Sequence, residues 1–300
     1  MCRAAGVSRA GFYRDWQERQ PQAAEVAIRD AVQREALRHR RYGYRRVLQM
    51  LQRGGMAVGE WVVRRILRTD NLLAVRKRKF VATTDSQHCF TVYPNLARYV
   101  NVKAINQLWV ADITYVRLGH EFVYVAVVLD VYSRRVVGWS LGRSLQTSLP
   151  LNALNQAIAN RQPGPNLVHH SDRGTQYASD EYVQRLEQVG MFISMSRPAR
   201  PWENAYCESF MRTLKDEEIN CRAYSTMEEL ERNIEDFIER FYNRERLHSA
   251  LNYRSPEEFE NDVTPKQYSL PVALSFPRHR EIYPDRKDLS QQQSGSTALL

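Results

Sequence analysis

Residues 107–117, 121–130 and 135–141 are three consecutive apolar runs rich in β-branched and aromatic residues, parted only by turns at Gly119 and at Ser133-Arg134. Strands joined so closely must pair antiparallel, because a parallel connection needs a crossover of roughly a dozen residues. The chain then alternates: helix at 146–161, strand at 167–171, helix at 179–189, strand at 192–195 and helix at 203–219. A three-strand meander followed by alternating helix and strand predicts one mixed five-stranded sheet flanked by helices, an α/β fold.

This is the ribonuclease-H-like order, in which the first and fourth strands are neighbours and the last helix lies across from them. Three carboxylates fall on those elements. Asp112 interrupts the apolar run QLWVADITYV, Asp172 ends LVHHSDRG, and Glu208 sits on the last helix. A charge inside an apolar run must reach a strand end, pair, or bind a metal. Oxygen ligands without His or Cys suit a hard octahedral cation such as Mg²⁺. Lys215 follows Glu208 by two helical turns and shares its face, with Asn204 and Arg212 close to the same stripe. Taken singly, each has a plainer reading: a solvent-facing strand residue, a turn former before Gly174, or an exposed helix charge.

The formal charge of +9 is unevenly spread. Residues 1–106 carry 21 Lys and Arg against 8 Asp and Glu, whereas the rest carries 22 against 26. That asymmetry points to polyanion binding by the first part and separate chemistry in the second. Helices expected at 23–39, 42–51 and 58–68, with Gly54-Gly55 between the last two, give an all-α, helix-turn-helix-like DNA-binding region over residues 1–75. Its second helix carries Arg64, Arg65 and Arg68 toward a major groove. Arg76, Lys77, Arg78 and Lys79 open a basic linker over 76–105 and are placed to track phosphates. The core spans 106–265, and the tail 266–300 is expected to be partly disordered.

The longest apolar stretch, residues 122–129, is too short to span a bilayer, and the first residues lack a signal-peptide pattern, so a cytoplasmic protein is expected. Cys2, Cys89, Cys207 and Cys221 form no C-x-x-C pair, which argues against a zinc finger or a disulfide framework. His88-Cys89 and His169-His170 are weaker candidates as ligands, the histidine pair reading as part of the strand before Asp172.

The three acidic residues, with 35 residues between Asp172 and Glu208 and a basic residue seven after the Glu, resemble the catalytic signature of the retroviral-integrase superfamily. The segments HSDRGTQY, SMSRPARPWENAYCESFMRTLK and FYNRERLHSALNYRSPEEF are similar to bacterial insertion-sequence transposases encoded in two overlapping frames. The resemblance covers roughly residues 1–265. It implies a second-frame product acting near the nucleoid, with an upstream-frame protein as partner or fusion and a homodimer or larger synaptic assembly. The His/Cys zinc module of retroviral integrases is absent, and the helix-turn-helix region takes its place.

The chemistry expected is strand cleavage at element ends followed by attack of the freed 3′-hydroxyl on a second phosphodiester. Asp112, Asp172 and Glu208 would hold two Mg²⁺ ions, with Mn²⁺ as a substitute. Lys215, Asn204 and Arg212 are candidates for contacting the terminal DNA, with Lys215 foremost. Asn243, Arg244 and His248 can be read either as DNA contacts or as packing residues. Two alternatives stay open: a non-catalytic DNA-binding descendant of such an enzyme, and a nuclease that hydrolyses without joining.

Overall fold

The computed structural model describes residues 23–73, 91–197 and 200–267. Arg76, Lys77, Arg78 and Lys79, together with Cys2, His88, Cys89 and the 287–300 tail, lie outside those residues. The chain divides into two units, residues 1–78 and 79–300.

In the first unit three helices pack together: α1 (Ala23–Arg38), α2 (Tyr44–Arg53) and α3 (Glu60–Thr69). Gly43 and Gly59 hold extended backbone just before α2 and α3, and Gly54 ends α2. Gly55 takes the left-handed conformation (φ 79°) that the tight exit from α2 requires. The shared core is Val32, Ala36, Val47, Leu51, Val63, Ile66 and Leu67, all buried. Arg29 and Gln33 of α1 both donate to the Asp70 carboxylate after α3, Gln33 at 2.7 Å, and fix the first helix to the end of the third.

The second unit is built on β1 (Leu108–Leu118), β2 (Glu121–Asp130), β3 (Val136–Gly142), β4 (Val168–Ser171) and β5 (Phe192–Met195). Their order across the sheet is β3-β2-β1-β4-β5. β1 pairs antiparallel with β2 and β2 with β3, whereas β4 runs parallel to both β1 and β5. This mixed ribonuclease-H-like sheet is the one the strand pattern predicts. Gly119, at φ 57°, makes the two-residue turn of the first hairpin.

Strand alternation sorts the side chains onto two faces. One face, with Val110, Val116, Val123, Val125, Val127 and Val168, is covered by α6 (Ala205–Glu217) through Cys207, Phe210, Met211 and Leu214. The opposite face, with Trp109, Ala111, Ala126, Val128 and Ile193, receives α4 (Ser148–Arg161) and α5 (Asp180–Gln188). Gly138 of β3 lets α4 lie directly on the sheet: a Cβ there would stand 2.1 Å from the Ala153 carbonyl oxygen.

Residues 91–105 pack on the second unit, with Tyr93 and Leu96 buried and the Leu96 and Ala97 amides donating to Ser194 Oγ. After α6 the chain forms α7 (Met227–Glu235) and continues as a wide π-type coil (Asp236–Glu245), and the described residues close with α8 (Pro256–Gln267). Asn243 is buried and bonds both the amide and the carbonyl of Val136, acting as a short strand edge beside β3. Arg246 is buried in a two-pronged ion pair with Glu217, at 2.9 and 2.8 Å. His248 packs edge-on against Tyr242, and Arg244 pairs with Glu257. Asn243 therefore braces the sheet and Arg246 braces α6, while Arg244 stands at the surface beside Glu257.

Candidate active site

Asp112 stands in the middle of β1, not at its end, at an even position shared with Val110 and Val116 on the face that α6 covers. β4 pairs with β1 only as far as Val110 and His170. Asp112 and Asp172 each lie two residues beyond that last rung, so the strand register brings them side by side. Past the rung, β1 loses its β4 neighbour, and a carboxylate can be held mid-strand without being sealed inside the sheet.

Asp172 is fixed locally. Its Oδ1 accepts the Gly174 amide at 2.9 Å, and a Cβ on residue 174 would come within 3.0 Å of the same oxygen. Gly174 has negative φ (−62°), so glycine serves here by leaving room and not by permitting a left-handed turn. The Asp112 Oδ1 accepts the Ile113 amide at 2.9 Å.

The Asp112 carboxyl is pushed up to about 7, first by burial and then by the negative charge of Asp172, with Glu208 adding to it. The Ile113 amide and Lys215 pull the other way. Cys207, beneath Glu208 on α6, is also pushed up, by burial and then by Asp112, Asp172 and Glu208. Asp172 at the end of β4 and Glu208 on α6 therefore both lie near enough to Asp112 on β1 to act on it. Among the described residues, no group of three or more His, Cys, Asp or Glu is arranged to hold a metal ion as it stands.

Lys215 is half-buried, with its Nζ 4.4 Å from the centroid of Tyr115 on β1. Burial lowers its pKa while the charge of Asp112 raises it. It is a held cation beside the carboxylates and not a freely solvated one. Arg212 is exposed on α6 one turn after Glu208. Asn204 differs from the stripe predicted for it: it is only 5% exposed, and its Nδ2 donates to the Ala111 carbonyl at 3.0 Å. The segment Pro201–Asn204 is a 3₁₀ turn, with three residues per turn, so back-extrapolating the α-helical period from Glu208 misplaces Asn204. It ties the start of α6 to the strand carrying Asp112.

His169 and His170 are both buried in β4, and burial lowers their pKa values to about 3 and about 4, leaving neutral rings. His170 Nδ1 meets Ser194 Oγ at 2.8 Å and His169 Nε2 meets the Tyr182 hydroxyl at 3.1 Å. They are core residues of the strand.

Sequence reasoning missed two features. Tyr177 is buried with its hydroxyl unbonded, and burial raises its pKa, with Tyr182, Asp112 and Asp172 adding to the shift; its HSDRGTQY context offered no sign of this. The other is Glu203, which accepts the Arg197 guanidinium at 2.8 and 2.6 Å, the Arg197 amide at 2.8 Å and Asn95 Nδ2 at 2.8 Å. Burial alone would push the Glu203 carboxyl up, but the Arg197 hydrogen bonds outweigh it and hold the group at about 2. This staple closes the segment that leads into α6 and leaves Trp202 exposed at 63%.

A sheet of this order carries acidic groups on β1, just past β4 and on the covering helix, and the described residues of the other unit form three helices. Integrase core domain models match residues 103–201 and 189–256, and an HTH-like domain model matches residues 22–80. The insertion element IS600 uncharacterized 31 kDa protein of Shigella sonnei is 37% identical over 264 residues, covering 86% of this chain and 97% of that protein. The transposase for insertion sequence element IS904 of Lactococcus lactis subsp. lactis (strain IL1403) is 36% identical over 221 residues, 73% of this chain and 87% of that protein. Transposase InsF for insertion sequence IS3A of Escherichia coli (strain K12) is 34% identical over 267 residues, 87% and 93% of the two chains. The chain belongs to the insertion-sequence transposases that carry an integrase core domain, and so to the DDE polynucleotidyl transferases. No helix among the described residues is long and apolar enough to cross a membrane.

Proposed function

We propose that this transposase cuts the ends of its element and joins them to new DNA at a site made of Asp112, Asp172 and Glu208. The observation that carries the reading is the strand register that sets Asp112 beside Asp172, where burial and then the charges of Asp172 and Glu208 push the Asp112 carboxyl up to about 7. Carboxylates gathered at such a cost to one another suit a shared cation, and an all-oxygen donor set suits a hard one. Two Mg²⁺ ions held by these residues would activate water or a 3′-hydroxyl and stabilise the leaving 3′-oxygen.

Asp112 must be ionised to take part, and a cation held beside it favours the ionised form. In the first step water adds to phosphorus, the P–O3′ bond breaks, and a 3′-hydroxyl is freed. In the second step that hydroxyl attacks another phosphodiester, forming one P–O bond as another breaks. No covalent enzyme intermediate is required. Lys215, held against Tyr115, offers its charge to a phosphate beside the scissile bond, and exposed Arg212 extends that contact along α6. Asn204 acts at one remove, by tying α6 to β1.

The first unit, with Arg64, Arg65 and Arg68 on α3, binds duplex DNA, and the Arg76, Lys77, Arg78, Lys79 run adds phosphate contacts. Residues 1–75, 76–105, 106–265 and 266–300 serve as DNA-binding region, basic linker, catalytic core and tail. An upstream-frame protein or fusion and a second copy of the chain complete the assembly that brings two element ends together, in the bacterial cytoplasm.

The test is Asp112→Asn, Asp172→Asn and Glu208→Gln, which keep shape and remove charge. Each should abolish cleavage and joining in Mg²⁺ while duplex binding stays near wild type. A variant that still joins DNA at close to the wild-type rate removes its residue from the site.

A further inference from the structure

In α3 the inward face is Val63, Ile66 and Leu67, all buried. The outward face at the same helical period is Trp61, Arg64, Arg65 and Arg68. An exposed stripe on a soluble helix needs no tryptophan, yet Trp61 is 67% exposed. The Arg65 guanidinium lies 4.9 Å from the indole centroid. Arg65 is steadied from the other side by Glu25 at 3.2 Å, and Arg64 by Glu60 at 3.3 Å and by the Tyr44 ring at 4.9 Å. Glu60, Trp61, Arg64, Arg65, Arg68 and Thr69 together line a shallow cleft along the helix.

An indole set among three arginines is a poor seat for an apolar protein surface, which would leave those charges desolvated, and a good one for a polyanion that also shows apolar edges. Duplex DNA is such a polyanion, and in its major groove the one apolar group is the thymine C5-methyl. Residues near the start of a recognition helix reach base edges, and in several motifs so do residues one turn further on. Trp61 is in the first turn, Arg65 is stacked on it one turn later, and Arg68 lies beyond.

We propose that Trp61 determines sequence specificity, laying its indole on a thymine methyl beside a guanine whose O6 and N7 are taken by Arg65. Arg68 then supplies a phosphate contact, uniform across sequences. The inference rests on the reading that the first unit binds DNA and goes beyond it by naming the reader and the base.

The test selects duplexes from a random pool with the full chain in EDTA, so that binding is read without cleavage. The selected site should hold a thymine next to a guanine. Replacing that thymine with deoxyuridine removes only the methyl group and should weaken wild-type binding about fourfold, the worth of one buried methylene-sized group. Trp61→Ala should lose the preference at that position, be indifferent to deoxyuridine, and keep the salt dependence of non-specific binding. Trp61→Phe, which keeps an apolar ring, should retain part of the preference.

If Trp61→Ala selects the same site and responds to deoxyuridine as wild type does, the proposal is overturned. It is equally overturned if the variant keeps its DNA preference but changes oligomeric state, which would make the indole a protein contact. Failure of the underlying reading looks different: Arg64→Ala/Arg65→Ala/Arg68→Ala would then leave both affinity and salt dependence untouched.

Discussion

Asp112→Asn should make the metal-free protein more stable while destroying its function. An aspartate whose folded pKa is about 7 against a model value of 3.8 binds its proton more tightly in the folded chain than in the unfolded one. Stability contributed by that proton is therefore complete at low pH and is lost as pH rises from about 4 to about 7. Three units at about 1.4 kcal/mol each set an upper bound of about 4 kcal/mol for the cost of the ionised form. Asp112 keeps partial solvent exposure, and screening reduces the expected figure to about 1–3 kcal/mol. The neutral amide carries none of this cost. In EDTA, urea unfolding followed by tryptophan fluorescence, to which buried Trp109 contributes, should show the wild-type midpoint falling between pH 5 and pH 8. Asp112→Asn should fall less and lie above wild type at pH 8. Added Mg²⁺ should raise the wild-type midpoint at pH 8 and leave the variant unmoved. An Asp112→Asn protein less stable than wild type at pH 8, with the same response to Mg²⁺, would refute the claim that the ionised Asp112, half-buried beside other carboxylates, is costly to the metal-free fold.

Three further outcomes follow from the same geometry. Lys215→Ala loses the contact with Tyr115 at a cost below about 1 kcal/mol, yet joining should fall by about tenfold or more because a misplaced reactant is slow; equal joining rates in an equally stable variant return Lys215 to a packing role. Glu203→Gln removes the charge that staples residues 197–203, and because the folded pKa is depressed to about 2, the contribution is present above about pH 4.5 and is lost as pH falls toward 2. At neutral pH the variant should lose about 1 kcal/mol after screening, with faster hydrogen exchange at the Arg197 amide; unchanged exchange there contradicts the staple. Gly138→Ala drives a methyl into the backbone of α4 and should destabilise the second unit by about 3 kcal/mol or more, and a melting temperature within a degree of wild type would show that α4 does not lie against β3 there.

The sheet was legible because its signals are local. Alternation and Gly or Ser turns delimit each strand to within a residue or two, and three short links leave one way to pair the meander. The carboxylates were legible as residues, and the strand order already set the strands of Asp112 and Asp172 side by side; the early stop of β4, which explains how a mid-strand position can serve, was not. Asn204 was placed on the wrong surface because a 3₁₀ turn precedes α6 and carries the same composition as a helical turn. The amphipathic pattern of residues 227–245 is shared between α7 and a π-type coil from Asp236, which keeps Phe237, Ile238 and Tyr242 buried and brings Asn243 to Val136. An amphipathic pattern does not distinguish the two coils over so short a run. Glu203 is missed because its bonds to Arg197 and Asn95 depend on how the 197–203 segment turns back, and Tyr177 because burial under the sheet leaves no local mark in the sequence.

The central claim is that Asp112, Asp172 and Glu208 directly ligate the cations used in strand joining. The most direct measurement is a change of ligand and metal together, with joining assayed for Asp112→Cys and Asp172→Cys in Mg²⁺ and in Mn²⁺. A thiolate binds Mg²⁺ poorly and softer metals better. Both variants should be inactive in Mg²⁺ and recover measurable joining in Mn²⁺, while Asp112→Asn and Asp172→Asn stay inactive in either metal. Equal loss in both metals for the cysteine variants, or activity in Mg²⁺, would contradict direct ligation at these positions.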